Sequence, residues 1–199
     1  DIRQYGFGTE KIEDELQTED VKWLNVHGLH DVELIKSIGE LLLIEPFIIG
    51  DILNIARRSK MEELDHILFF SIKSILPDED YDTVRVEQIS FLLKDNLLVS
   101  FQEKKSDFFT HIRERIKTHS GIVRKKSNDY LLYLLLEAVM ENFYITIDCC
   151  VYSSSLSSVS DSTSLHLEKL YLSLIAYYAS FILRIGTVII LHFVGPYVA

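Results

Sequence analysis

Residues 84–102 read VRVEQISFLLKDNLLVSFQ, and this stretch sets the architecture of the chain. Its two apolar runs, 84–93 and 97–102, have the length and composition of buried strands. The polar tripeptide between them, Lys94-Asp95-Asn96, is short enough to close an antiparallel hairpin. A third apolar run precedes them over 66–76, followed by a short break that begins at Pro77. The centre of the chain is therefore predicted to form antiparallel strands.

One more strand and two helices are predicted before this region. Residues 21–26 have strand composition and end at Gly28. Asp31 can cap a helix through Leu41, because apolar residues recur behind it at helical spacing. Pro46 suits the first turn of a second helix, which is predicted to run through residue 55.

Beyond Ser106 the apolar period becomes helical. Residues 107–118 form an amphipathic pattern, and 129–148 form a longer one whose apolar residues lie nearly all the way round. Such a helix needs other elements or other subunits around it. The order of strands and helices predicts an α/β (α+β mixed) fold. In it, a mostly antiparallel mixed sheet lies between helices, followed by the long helix and an apolar C-terminal helical tail.

Composition excludes several classes of protein. The chain has 199 residues, 48% hydrophobic and 25% charged, with a formal net charge of −10. These values exclude a disordered chain, and two adjacent cysteines (149 and 150) exclude a disulfide scaffold and are predicted to be free thiols. An acidic surface repels phosphate, so no nucleic acid is expected as a partner. Divalent cations or basic partners suit the charge better.

The C-terminal part differs from the rest of the chain. After Val151 the only charged residues are Asp161, Glu168, Lys169 and Arg184, which sum to zero. A serine-rich run at 153–158 has the composition of a linker. The stretch 170–194 then exceeds the roughly 20 apolar residues that a membrane helix needs. A membrane span is predicted, with a buried hairpin as the alternative.

The candidate chemistry rests on carboxylates. No catalytic motif such as G-x-S-x-G, a Walker loop or H-E-x-x-H occurs in the sequence, so an enzyme is not expected. Asp51 lies among apolar neighbours in FIIGDILN, and Glu137 and Glu141 share one side of the long helix. Mg²⁺ prefers carboxylate oxygens and could neutralise such a pair. The alternative is that both glutamates face solvent or the basic run 124–126.

Residues 23–148 resemble the cytoplasmic N-terminal domain of the CorA family of magnesium and cobalt channels. Short segments carry the resemblance, in the same order as in the family. They are WLNV with GLH at 23–30, IGE at 38–40, EP at 45–46, DILN at 51–54, R-x-K-x-EE at 58–63, EQIS at 87–90, VSFQE at 99–103, IRERI at 112–116, and GIVRKK with DYL at 121–131. The resemblance implies a mixed-sheet domain between helices, a stalk helix, and a homopentamer around an ion pore.

The same resemblance implies a regulatory metal site. Asp51 matches an acidic residue that helps bind Mg²⁺ between subunits, and Glu137 matches an acidic residue of a companion site. The family often has a second acid where this chain has Gly50. The tail departs from the family: no Gly-Met-Asn occurs, and the chain reads Gly186-Thr187-Val188 near its expected place.

The resulting hypothesis is a subunit of a divalent-cation channel that senses Mg²⁺ and gates Mg²⁺ or Co²⁺ transport. The expected organisation is a cytoplasmic regulatory domain (1–148), a truncated stalk or linker (149–168) and an apolar tail that could span the cell (inner) membrane (169–199). The predicted metal ligands are Asp51 and Glu137. Alternatives are a zinc transporter of the same superfamily, or a soluble cation-binding or assembly module without transport.

Overall fold

A mixed sheet forms the centre of the computed structural model, which describes residues 20–64, 67–77, 84–104 and 108–156. Its strands are β1 (Lys22–His27), β2 (Lys60–Leu64), β3 (Ile67–Pro77), β4 (Val84–Lys94) and β5 (Leu97–Gln102). Its helices are α1 (Val32–Leu41), α2 (Pro46–Leu53), α3 (Thr110–Lys117) and α4 (Asn128–Leu156), with a 3₁₀ turn at Val123–Lys125. The apolar stretch 170–194 lies outside the described residues.

The strand order in the sheet is β1-β5-β4-β3-β2. β4 pairs with β5 in antiparallel register through the hairpin predicted at residues 94–96, and β2 pairs with β3 in the same sense. β1 lies parallel to β5 at one edge, with Lys22 opposite Leu97. The predicted α/β mixed fold is confirmed, and β2 is a strand that the sequence pattern did not predict.

The two helices before β2 begin where the sequence predicts. Asp31 caps α1 by accepting a hydrogen bond from the Leu34 amide at 3.0 Å, and Pro46 occupies the first turn of α2. A Cβ added at Gly39 would lie 2.6 Å from Ile49 Cδ1, so glycine there lets α1 and α2 pack closely. α2 ends at Leu53, two residues before the predicted end.

One face of the sheet packs against α1 and α2. The buried apolar side chains of this layer are Val26, Leu29, Ile35, Ile38, Leu42, Ile44, Ile48, Ile49, Ile52, Ile67, Phe69, Leu92, Val99 and Phe101. Burying one such side chain contributes about 1.5–3 kcal/mol. The layer therefore holds α2, which carries Asp51, firmly on the sheet.

The opposite face of the sheet is covered by residues that follow β5. Phe109 contacts Trp23 edge-on at 5.8 Å between ring centroids and lies 6.1 Å from Phe91. The Trp23 indole N–H donates to Ser100 Oγ at 2.9 Å, and that hydroxyl donates to Asn25 Oδ1 at 2.8 Å. The polar groups of Trp23, Ser100 and Asn25 are thus paired with one another.

Contacts divide the chain into two compact units, and α4 contributes to both. Of the described residues, the first unit contains those up to Leu76 and those within Arg85–Phe143, and the second contains Pro77, Val84 and those from Tyr144 to Leu156. The helix continues through Leu156, eight residues beyond its predicted end at residue 148. Serines 153–155, which have the composition of a linker, lie within this helix, because extending an existing helix needs little nucleation.

The described residues contain one stretch, Asn128–Cys149 of α4, that is long and apolar enough to cross a membrane. More than half of that stretch is buried inside the protein. Core helices of soluble proteins can have the same length and composition, so this stretch alone is weak evidence for a membrane span.

Candidate functional site

The Asp51 carboxylate is buried between α2 and the edge of the sheet, with 2% of the residue exposed. Two cations of the same chain hold it: Arg57 Nη1 pairs with Oδ1, and Lys60 Nζ pairs with Oδ2. Arg57 lies in the loop after α2, and Lys60 is the first residue of β2. A buried charge needs such partners, since burying it unpaired costs several kcal/mol.

Lys60 is held by more than its pairing with Asp51. Its Nζ also donates to Glu62 Oε1 at 2.8 Å and lies 5.7 Å from the centre of the Phe69 ring. Lys60, Glu62 and Phe69 share one face of the β2–β3 pair, because Glu62 is opposite Phe69 in the register. The ammonium therefore contacts Asp51, Glu62 and the Phe69 ring together.

A buried glutamine fixes the end of the helix that carries Asp51. Gln88 is fully buried on β4, and its Nε2 donates to the backbone carbonyls of Asp51 (3.2 Å) and Ile52 (3.1 Å). These carbonyls belong to the last turn of α2, which lacks intrahelical partners. The sequence offered one signal for this role, a glutamine in the middle of an apolar strand, and our sequence reasoning assigned it none.

Lys73 extends this polar cluster to β3. Its Nζ donates to Gln88 Oε1 at 3.2 Å and to the Ile55 carbonyl, which follows α2. Burial lowers the pKa of Lys73, and the Glu103 carboxylate opposes that change. Three elements, α2, β3 and β4, are thereby tied together beside Asp51.

A pair of acidic residues lies where β4 and β5 meet. Glu87 is buried, and its Oε1 accepts a hydrogen bond from the Lys104 amide at 2.9 Å. Burial raises the pKa of Glu87, and the Glu103 carboxylate adds to that rise. The Glu103 carboxylate itself accepts a hydrogen bond from the backbone N–H of Gln88 at 3.3 Å. We assign no ligand to this pair, since its described contacts account for its placement.

Glu137 lies on the exposed side of α4, together with Glu141. Its Oε1 accepts a hydrogen bond from the Tyr133 hydroxyl at 3.1 Å, one helical turn away. That hydrogen bond raises the pKa of Tyr133, and the negative charge of Glu137 adds to the effect. Both glutamates face solvent, which is one of the alternatives that the sequence left open, and the Glu137 carboxylate is accessible to a hydrated cation.

Neither Asp51 nor Glu137 belongs to a larger group of potential metal ligands among the described residues. Within the described residues, no three His, Cys, Asp or Glu side chains come together as a group that could hold a metal ion. Each carboxylate offers the oxygen ligands that Mg²⁺ prefers. Asp51 can bind such an ion only when Lys60 and Arg57 release its carboxylate oxygens. The Glu137 carboxylate is already exposed.

Fold and site together define a layered α/β domain with two candidate carboxylates, one buried and one exposed. The model of the family described as CorA-like Mg²⁺ transporter protein matches residues 18–149, well over half of the chain. The chain therefore belongs to the CorA-like Mg²⁺ transporter family, and the resemblance inferred from short segments is confirmed.

Relatives agree with this assignment. The chain is 36% identical over 126 residues to the cobalt/magnesium transport protein CorA of Thermotoga maritima, which covers 63% of this chain. A crystal structure of the ZntB cytoplasmic domain from Vibrio parahaemolyticus matches with a TM-score of 0.58 at 19% identity, covering 76% of this chain and 62% of that one. The full-length CmaX structure matches with a TM-score of 0.62 at 12% identity, covering 83% and 54%.

The structural matches show the fold alone, because their identities are low. The chain spans 36% of the length of the Thermotoga maritima relative. The match therefore concerns only part of that longer protein.

Proposed function

We propose that this chain is a subunit of a CorA-type divalent metal cation channel and that its described domain senses Mg²⁺ or Co²⁺. The observation that carries the proposal is the 36% identity to a cobalt/magnesium transport protein over 126 residues. The family description as Mg²⁺ transporters supports a role in transport and not in catalysis.

The proposed organisation follows the sequence prediction. Residues 1–148 lie in the cytoplasm, 149–168 form a short stalk or linker, and 169–199 enter the cell (inner) membrane. Subunits assemble as a homo-oligomer, a pentamer when the stalk is complete. Mg²⁺ and Co²⁺ are the transported and regulatory ions.

Sensing is proposed to depend on the carboxylates of Asp51 and Glu137. In an acidic assembly, a divalent cation between subunits offsets the repulsion of facing carboxylates and favours the closed arrangement. Loss of the cation restores that repulsion and shifts the population towards an open channel. Because Gly50 stands where the family often has a second acid, the affinity is expected to be in the millimolar range.

Thermal unfolding tests the sensing role. A ligand that binds only the folded state raises stability by RT ln(1 + [L]/Kd), so millimolar MgCl₂ should raise the Tm of the protein slightly. Asp51→Asn should reduce that rise, and adding Glu137→Gln should reduce it further. Lys36→Met, which alters a surface pair with Glu33, is the matched control.

NaCl at equal ionic strength separates binding from screening, since screening appears with either salt. If MgCl₂ and matched NaCl stabilise the wild type and the Asp51→Asn/Glu137→Gln variant equally, the two carboxylates are not ligands. Cells that express the chain should also take up Co²⁺ faster than cells with an empty vector. Binding without uptake would instead support the soluble cation-binding module, and a preference for ZnCl₂ would support the zinc transporter.

A further inference from the structure

Asp51 already has two cationic partners within its own chain. Lys60 Nζ and Arg57 Nη1 each contact one oxygen of the carboxylate. A divalent cation that binds Asp51 needs the same oxygens, because carboxylate oxygens are its preferred ligands. Like charges at such short range repel strongly, so the bound ion and the Lys60 ammonium exclude each other.

We propose that Lys60 is a tethered cation that competes with the divalent ion for Asp51 and thereby sets the concentration at which the domain responds. The inference rests on the proposed sensing role of Asp51 and names the residue that tunes it. Lys60 keeps the buried carboxylate neutralised at low divalent concentration and leaves it at high concentration.

The surroundings of Lys60 allow this exchange. Its side chain is 25% exposed, and Glu62 Oε1 already accepts from Nζ at 2.8 Å. Glu62 is itself partly exposed, so the displaced ammonium keeps a carboxylate partner at the edge of the sheet. Arg57 is more exposed than Lys60 and lies in a loop, so it is the less firmly held of the two.

Hydrogen bonds hold the backbone around Asp51, so the competition between cations involves side chains only. Gln88 holds the carbonyls of Asp51 and Ile52, and Lys73 holds the carbonyl of Ile55. The end of α2 therefore stays in place while the side chains of Lys60 and Arg57 move. A change of cation at Asp51 alters the charge exposed at this edge and not the fold.

Titration with MgCl₂ at constant ionic strength, followed by Tm and by calorimetry, tests the proposal. Lys60→Met keeps most of the side-chain volume over Phe69 and removes the charge, so its midpoint should fall by about tenfold. Lys60→Arg should stay near the wild-type midpoint, and the surface variant Lys36→Met should be unchanged. Asp51→Asn/Lys60→Met should show no gain over Asp51→Asn.

The possible failures are distinct. If Asp51→Asn responds to MgCl₂ as the wild type does, the sensing role of Asp51 fails. If Asp51→Asn loses the response while Lys60→Met keeps the wild-type midpoint, the competition by Lys60 is refuted. Should Lys60→Met not fold without Mg²⁺, Lys60→Gln replaces it; its midpoint should fall in the same direction, and an unchanged midpoint refutes the proposal.

Discussion

Gln88 is a buried polar link between α2 and the sheet, and its removal should be costly. In Gln88→Leu, the carbonyls of Asp51 and Ile52 lose a buried donor, and Lys73 loses an acceptor. Leaving buried polar groups without partners costs about 1–3 kcal/mol. Urea unfolding should therefore show that loss for Gln88→Leu and almost none for Lys36→Met at the surface. Equal unfolding midpoints for both variants would show that these hydrogen bonds contribute nothing.

Glu87 gives stability an unusual dependence on pH. Burial raises its folded pKa above the ordinary value of 4.5, so the unfolded chain loses the proton first as the pH rises. The contribution of Glu87 to the free energy of unfolding is therefore fully present below that ordinary pKa. It is lost as the pH rises through the pKa of Glu87 in the folded protein. In Glu87→Gln this loss should disappear, while the acceptor for the Lys104 amide remains.

Urea unfolding at several pH values between 4 and 8 measures this difference. The variant should gain stability relative to the wild type towards neutral pH. Glu114→Gln, an exposed surface change, is the control variant. A constant offset between Glu87→Gln and the wild type at every pH would contradict the prediction.

At the scale of elements, α2 contains a glycine that packing does not require. A Cβ at Gly50 would meet no atom within 4 Å, and the residue has ordinary helical geometry. Gly50→Ala should therefore stabilise the protein by about 0.5–1 kcal/mol, since glycine weakens a helix interior by that amount. Thermal unfolding measures this gain, and a loss of stability would mean that Gly50 has a contact that the free chain does not show.

Gly50→Asp adds a second carboxylate beside Asp51 at the same open position. If Asp51 senses divalent cations, this variant should respond at lower MgCl₂ than Gly50→Ala, because more carboxylates replace water around the ion. Identical MgCl₂ midpoints for the two variants would place the cation away from α2.

The elements differ in how well their sequences predicted them. β3, β4 and β5 are apolar runs with polar breaks, and α1 has both a cap and a helical period, so local pattern was sufficient. β2 reads KMEEL and has no apolar alternation, because an edge strand faces solvent and carries charge. The end of α4 was misjudged because serine favours linkers by composition, whereas here the helix simply continues.

The candidate site was predictable only in part. Its apolar neighbours in the sequence indicated that Asp51 would be unusual, and the structure shows it buried. Its partners come from the loop after α2 and from the unpredicted edge strand, so Arg57 and Lys60 could not be inferred from spacing. Gln88 reaches α2 from 36 or 37 residues away, which only the folded sheet determines.

For the whole molecule, the net charge and the family domain both bear on how copies of the chain assemble. The net charge of −10 makes copies of this chain repel one another at low ionic strength. The family domain covers residues 18–149, and α4 leaves it as one continuous helix through Leu156. Assembly should therefore depend on cations and on the exposed side of α4.

Self-association is the prediction at this scale. Tyr133 is 48% exposed on α4 and stacks on Tyr130, and Ile145, further along the helix, is 51% exposed. Exposed apolar side chains at helical positions are favourable contacts once charge repulsion is reduced. Light scattering in mild detergent should show a mass above that of the monomer, rising with NaCl and rising further with MgCl₂ at equal ionic strength.

Tyr133→Ser and Ile145→Ser should each weaken this association, because each removes apolar surface from α4. Ile122→Ser removes a comparably exposed apolar side chain from the loop before the 3₁₀ turn and should leave the mass unchanged. The comparison separates contact through α4 from general loss of apolar surface. A monomer in every salt at high concentration would contradict self-association, and an equal effect of all three variants would show that α4 is not the contact surface.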